Sequence, residues 1–121
     1  APGLWLEVPE DGALRQIELV RELVTQMHGC GARVGIEHAG ERLTEAGGLL
    51  EVGLDFVKLD ASFVEGLSAD NARREHVAGA VRMLHGIGLK VYAEGVTSSD
   101  DAEALVGCGL DGLTGPVVPA A

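Results

Sequence analysis

Short apolar runs alternate along this chain with amphipathic stretches that close on glycine, and four of the runs carry charge at their C-terminal ends. The sharpest is Phe56-Val57-Lys58-Leu59-Asp60, which reads as a buried parallel strand. Lys58 and Asp60 are two apart and so project to one face of it. Leu4 to Val8 reads as a first strand ended by Pro9, Ala32 to His38 as a second, Leu89 to Val96 as a fourth and Leu110 to Leu113 as a short fifth. Between them, Ile17, Val20, Val24 and Met27 recur at helical spacing and predict a helix over 12–28 closed by Gly29 and Gly31. A weaker helix is expected at Leu43 to Glu51, the best one at Asn71 to His85, and a short one from Asp100 to Val106 capped by Ser98 or Ser99.

The order β-α-β-α-β-α-β-α-β implies an α/β fold with a parallel sheet and right-handed crossovers. Five strands are too few to close an eight-stranded barrel, so the expectation is an open sheet or a (β/α) parallel half-barrel within a larger one. A half-barrel leaves two unpaired edges and calls for further chain or a partner.

At 121 residues there is room for one core. The 18 glycines, 3% aromatics and 46% hydrophobic residues suit helices packed closely on a parallel sheet. A net charge of −10 argues against duplex nucleic acid and against direct contact with an anionic membrane. It leaves a small anionic ligand open, because a divalent metal held by carboxylates inverts the local sign. No apolar run approaches the roughly 20 residues that span a bilayer, and there is no basic signal-peptide start. Cys30 and Cys108 form no metal or redox pattern and read as small packing residues. A reducing, cytoplasmic setting is expected, for a parent protein that can itself be membrane-anchored.

In a parallel sheet the C-terminal strand ends share one rim. Glu7, Glu37, Lys58, Asp60 and Glu94 would therefore converge there. Any one of them could simply pair with a neighbour, but four successive strands ending this way argue for a site. Carboxylates crowded together raise one another's pKa unless a cation compensates, and a divalent metal is the simplest compensator. The pattern fits metal-assisted phosphoester hydrolysis, with Lys58 orienting water or neutralising charge. A Schiff-base site at Lys58 ranks lower, since nearby carboxylates would keep the amine protonated. Trp5 shares the parity of Glu7 and is expected in the interior, while His28, His76 and His85 read as helix or surface residues and Arg73-Arg74 as a solvated helix face.

Four stretches carry a family resemblance: Leu6-Glu7-Val8-Pro9-Glu10, Phe56 to Val64, Gly88 to Val96 and Gly109 to Pro116. They resemble the second half of the EAL domain, the family of cyclic-di-GMP phosphodiesterases and their non-catalytic relatives. Lys-x-Asp followed about 34 residues later by Ala-Glu-Gly-Val is the most specific part. The resemblance implies a modified (β/α)8 barrel of about twice this length, with residues 1–121 as its C-terminal portion. The strand bearing Glu-Ala-Leu and the metal-binding Asn after it are then expected outside this sequence, and a homodimer or the other half-barrel is the implied structural partner. It also implies Mg²⁺ or Mn²⁺ as cofactor, if any is retained, and cyclic-di-GMP as ligand. Carried across by position, Glu7, Glu37 and Asp60 become metal ligands. Lys58 and Glu94 become catalytic groups, and Glu37, His38, Asp60 and Thr114 contact the ligand.

The departures are equally specific. The family's Asp-Asp-Phe-Gly-Thr-Gly is Glu37-His38-Ala39-Gly40-Glu41-Arg42 here, Thr97 replaces the last Glu of Ala-Glu-Gly-Val-Glu, and Thr114 replaces the Gln of Gln-Gly. His38 can bind a metal but supplies no negative charge. These changes predict weak or absent hydrolysis and a receptor or regulatory role, with an active phosphodiesterase or a structural dimerisation module as alternatives.

Overall fold

The computed structural model describes residues 4–40 and 52–114, so the helix expected at Leu43 to Glu51 lies outside the described residues. Strands β1 (Trp5–Pro9), β2 (Arg33–Ala39), β3 (Phe56–Leu59), β4 (Lys90–Ala93) and β5 (Gly112–Leu113) form one sheet in sequence order. Every adjacent pair is parallel. The helices are α1 (Glu10–Arg15), α2 (Ile17–Gly29), α3 (Ala61–Val64), α4 (Asn71–Gly86) and α5 (Ser99–Gly107), with a 3₁₀ turn at Leu67–Ala69. The α/β alternation is as expected.

Alternation along each strand separates two faces. Val34, Ile36, Val57, Leu59 and Val91 are fully buried against Val20, Val24, Val77, Val81, Leu84 and Leu105 of the helices. The opposite face carries Trp5, Phe56 and Tyr92, whose ring centroids lie 4.9 Å (Trp5–Phe56) and 6.1 Å (Phe56–Tyr92) apart. Trp5, expected in the interior, contacts Phe56 here but remains exposed on this face, with the Arg33 guanidinium 5.5 Å from its ring centroid. Gly35 and Gly112, paired in register with Phe56 and Tyr92, leave room for those rings.

Four expectations are corrected. The helix foreseen over 12–28 is two helices, broken at Gln16, whose φ of −136° and ψ of 55° are not helical. The first begins at Glu10, where Glu10 and Asp11 place negative charge at the positive end of the helix dipole. The strand foreseen at 56–60 stops at Leu59, and Asp60 instead caps α3 by accepting the amide of Ser62. Cys108 is buried, but Cys30 is exposed because it follows α2 in the turn out to the surface. Arg73 and Arg74 are also less solvated than expected, donating to the carbonyls of Phe63 (3.0 Å) and Ser68 (2.7 Å) respectively. Ser98 caps α5 as foreseen, accepting the Asp101 amide at 3.3 Å. No helix among the described residues is long and apolar enough to cross a membrane.

Candidate metal- and ligand-binding rim

The parallel strands bring Glu7, Glu37, His38, Lys58, Asp60 and Glu94 to one edge of the sheet, and there they divide into two groups. In the first, the Lys58 Nζ pairs with a carboxylate oxygen of Glu7. That bond holds the Glu7 carboxyl below its ordinary range, against the opposing effect of burial. Glu37 hydrogen-bonds to Glu7 in turn, and this contact, with burial and the Glu7 charge, raises its pKa. Glu37 is therefore the carboxyl of the pair that keeps a proton longer as pH rises. This group contains its own counter-ion.

The second group is built around a distortion of β2. The β2–β3 register shifts between Ile36 and Ala39. Within that bulge His38 adopts φ 55°, unusual for a residue with a side chain. The bulge puts His38 Nδ1 2.8 Å from Oδ1 of Asp60 and 3.5 Å from Oε1 of Glu94. Glu94 Oε1 also accepts the His38 amide at 3.2 Å. Asp60 Oδ2 is already occupied by the Ser62 amide at 3.0 Å and by the Ser62 hydroxyl. Ser62 and then His38 hold Asp60 below its ordinary pKa, while the Asp60 hydrogen bond raises that of His38.

One ligand atom from each of His38, Asp60 and Glu94 lies within 4.8 Å of the others, a separation that suits a single divalent ion. The metal set expected from sequence was Glu7, Glu37 and Asp60. In the structure Asp60 stands with His38 and Glu94, and Glu7 and Glu37 stand with Lys58.

Two hollows flank the rim. One of about 620 Å³ is bordered by Pro9, Glu10, His38, Gly40, Asp60 and Phe63 among others. The other, about 290 Å³, is bordered by Trp5, Lys58, Tyr92, Glu94, Leu113 and Thr114 among others. Thr114 thus lines a cavity with Lys58 and Glu94. Its backbone joins the rim as well, accepting the Val96 amide at 2.9 Å and donating to Ala93 at 2.9 Å.

Sequence reasoning missed several supporting residues. Glu10 is buried beside the rim and accepts the Gly40 amide at 3.2 Å, steadying the exit from β2. Asp101, also buried, accepts the amides of Gly66 (2.9 Å) and Ser68 (3.0 Å). Asp55 and Asp111 each bind a histidine at the opposite end of the sheet. A signal for that last pair was present: His28-Gly29-Cys30-Gly31-Ala32-Arg33-Val34 is echoed by His85-Gly86-Ile87-Gly88-Leu89-Lys90-Val91.

A parallel α/β sheet whose C-terminal strand ends gather carboxylates, a lysine and a histidine on one rim has the layout of a (β/α) barrel-type domain. Within that class the chain belongs to the EAL domain family, which it matches over residues 1–119. The cyclic di-GMP phosphodiesterase PdeL of Escherichia coli K12 is 28% identical over 120 residues, covering 96% of this chain and 33% of PdeL. The bifunctional diguanylate cyclase/cyclic di-GMP phosphodiesterase MucR of Pseudomonas aeruginosa is 27% identical over 112 residues, covering 93% of this chain and 16% of MucR.

Among solved structures, the FimX EAL domain of Pseudomonas aeruginosa bound to c-di-GMP superposes with a TM-score of 0.89 at 20% identity, over 98% of this chain and 49% of that one. At that identity the likeness is one of fold. The c-di-GMP complex of the P. aeruginosa MucR phosphodiesterase superposes with a TM-score of 0.80 at 27% identity, over 93% of this chain and 45% of that one. The chain thus spans a third or less of these curated relatives and about half of these solved chains. The fold is the TIM-barrel-like architecture of EAL domains, of which these five strands form an arc.

Proposed function

We propose that this chain, as the C-terminal portion of an EAL-type domain, contributes its rim to a cyclic-di-GMP receptor site with impaired hydrolysis. The observation that carries this reading is His38, which stands where the family has its second Asp and is hydrogen-bonded to Asp60 and close to Glu94. Two-metal phosphoester hydrolysis needs ions about 3.5–4 Å apart, bridged by anionic ligands. A neutral imidazole lowers the charge available for the second ion. Glu7 is already paired with Lys58, and Glu37 shares a hydrogen bond with Glu7, which further weakens a two-ion arrangement.

The ligand assignment draws on the MucR phosphodiesterase, 27% identical, whose solved structure is a c-di-GMP complex. Lys58 and Thr114, lining one cavity, are the proposed contacts to its phosphates and polar edges, with Glu37, His38 and Asp60 across the rim. The concave face is to be completed by the remaining half-barrel or by a second copy of the chain. Retention of Glu7, Lys58, Asp60 and Glu94 favours a second reading, an active metal-dependent phosphodiesterase.

Calorimetric titration with cyclic-di-GMP, alongside a hydrolysis assay in Mg²⁺ or Mn²⁺, separates the two. The receptor reading expects binding without turnover. Turnover that disappears in Glu94→Ala overturns it in favour of the enzyme, and absence of binding leaves a structural dimerisation module.

A further inference from the structure

The rim of this chain differs chemically from an all-carboxylate one in a way that bears on which ion it takes. We infer that His38, Asp60 and Glu94 form a single-ion site selective for borderline divalent metals such as Zn²⁺ and Co²⁺ over Mg²⁺. The inference rests on reading the rim as a metal site and concerns the identity of the ion, not the fate of the nucleotide.

Donor chemistry comes first. Imidazole nitrogen suits zinc, cobalt and their neighbours, whereas Mg²⁺ prefers an octahedron of oxygens and gives up its waters reluctantly. Two carboxylates and one neutral imidazole supply two negative charges, matching one divalent ion.

Geometry agrees. Zinc bonds of about 2.0–2.1 Å in a tetrahedron place ligand atoms roughly 3.3 Å apart. His38 Nδ1 lies 2.8 Å from Asp60 Oδ1 and 3.5 Å from Glu94 Oε1, so a small outward shift of Asp60 admits the ion. These three ligands leave at least one further position, for water, a ligand oxygen or a group from the rest of the barrel.

The groups around the triad fix each ligand's orientation. Asp60 Oδ2 is taken by the amide and hydroxyl of Ser62, which leaves Oδ1 to face the site. The His38 amide is tied to Glu94 Oε1, and the β2 bulge points the imidazole toward Asp60. Such supporting bonds typically tune metal affinity by about 10–100-fold. The competing cation is already engaged, since Lys58 is paired with Glu7. One group therefore carries its own ammonium and the other is arranged to receive a metal ion.

The test titrates the chelator-stripped protein with CoCl₂, ZnCl₂ and MgCl₂. Cobalt binding is followed by its visible absorption, zinc by displacement of cobalt, and the His38 ring by NMR. The expected result is a visible spectrum of tetrahedral cobalt, a shifted His38 ring resonance, and Zn²⁺ binding at least about 10-fold tighter than Mg²⁺. His38→Asp replaces the nitrogen donor with an anionic oxygen and should narrow the Zn²⁺-over-Mg²⁺ preference, with tighter Mg²⁺ binding and loss of the histidine ring shift. Circular dichroism checks that the variant is folded. If it is not, the wild-type cobalt spectrum and ring shift decide the matter alone.

Equal affinity for Mg²⁺ and Zn²⁺, no metal binding, or zinc binding that leaves the His38 ring unmoved each overturns the inference. Cyclic-di-GMP binding is measured on the same samples. Loss of ion selectivity with nucleotide binding intact refutes this inference alone, and selectivity without nucleotide binding refutes the receptor reading alone.

Discussion

Nε2 of His85 lies 2.7 Å from Oδ2 of Asp111, and the same oxygen accepts the Val91 amide at 2.7 Å. The arrangement is repeated two strands earlier in the sheet. There Asp55 Oδ2 binds His28 Nε2 at 2.7 Å and the Val34 amide at 2.8 Å. In each case the residue before one strand clamps the end of a preceding helix to the start of the neighbouring strand. Both clamps sit at the end of the sheet away from the rim.

These clamps should matter to stability and not to the rim chemistry. Asp55→Ala and Asp111→Ala each remove a charged acceptor from a backbone amide and should cost about 1–3 kcal/mol in urea denaturation. Burial pushes the Asp111 carboxyl up, but the Val91 amide and His85 outweigh it and hold the pKa below its ordinary 3.8. A depressed carboxylate contributes stability above its unfolded pKa and loses it as pH falls through the folded value. Asp111→Asn should therefore flatten the acid limb of the stability curve below about pH 4. An unchanged acid limb would count against the clamp.

Asp101 makes the same kind of contribution from a buried position. Its two oxygens hold the amides of Gly66 and Ser68, and the Gly66 hydrogen bond leads the depression of its pKa, against burial. Asp101→Ala leaves those donors without their acceptor and should lower stability by roughly 1–3 kcal/mol. Hydrogen exchange at Gly66 and Ser68 should accelerate well before global unfolding.

The concave face has little room to spare at Gly35. A Cβ there would overlap the ring of Phe56, and one at Gly112 would come within 2.8 Å of Tyr92 Cδ1. Gly35→Ala should cost on the order of 1–3 kcal/mol and perturb the aromatic near-ultraviolet signal of the Trp5–Phe56–Tyr92 cluster. Gly12→Ala, with open space around its Cβ, serves as the comparison.

His38 should titrate above its ordinary value of 6.5, chiefly because of its hydrogen bond to Asp60, with burial opposing and Glu94 and Glu37 adding to it. A raised histidine stabilises the fold fully below its unfolded pKa, and that contribution is lost as pH rises through the folded pKa. NMR titration of the metal-free protein should find the His38 midpoint above 6.5, and Asp60→Asn should move it back down. A midpoint unaffected by Asp60→Asn would show that the contact is absent in solution.

Strand parity and apolar patterning, both local properties, determined much of this protein. They indicated a parallel α/β sheet, placed Glu7, Lys58 and Glu94 on its C-terminal edge, and put Val77, Val81 and Leu84 on the buried face of α4. The motif around Lys58, Asp60 and Glu94 was enough to suggest the family. Tertiary structure decided the rest.

Asp60 is an exception: its contact with the Ser62 amide, two residues on, is a local helix cap that a strand reading of the run passes over. The division of the rim into a Glu7–Glu37–Lys58 group and a His38–Asp60–Glu94 group depends on a register shift between β2 and β3. That shift turns one side chain relative to its neighbours and leaves the hydrophobic alternation intact. The pairings of Asp55 with His28 and Asp111 with His85 likewise join residues 27 and 26 positions apart. Such contacts are set by how helices return to a sheet, a relation no single stretch of sequence contains.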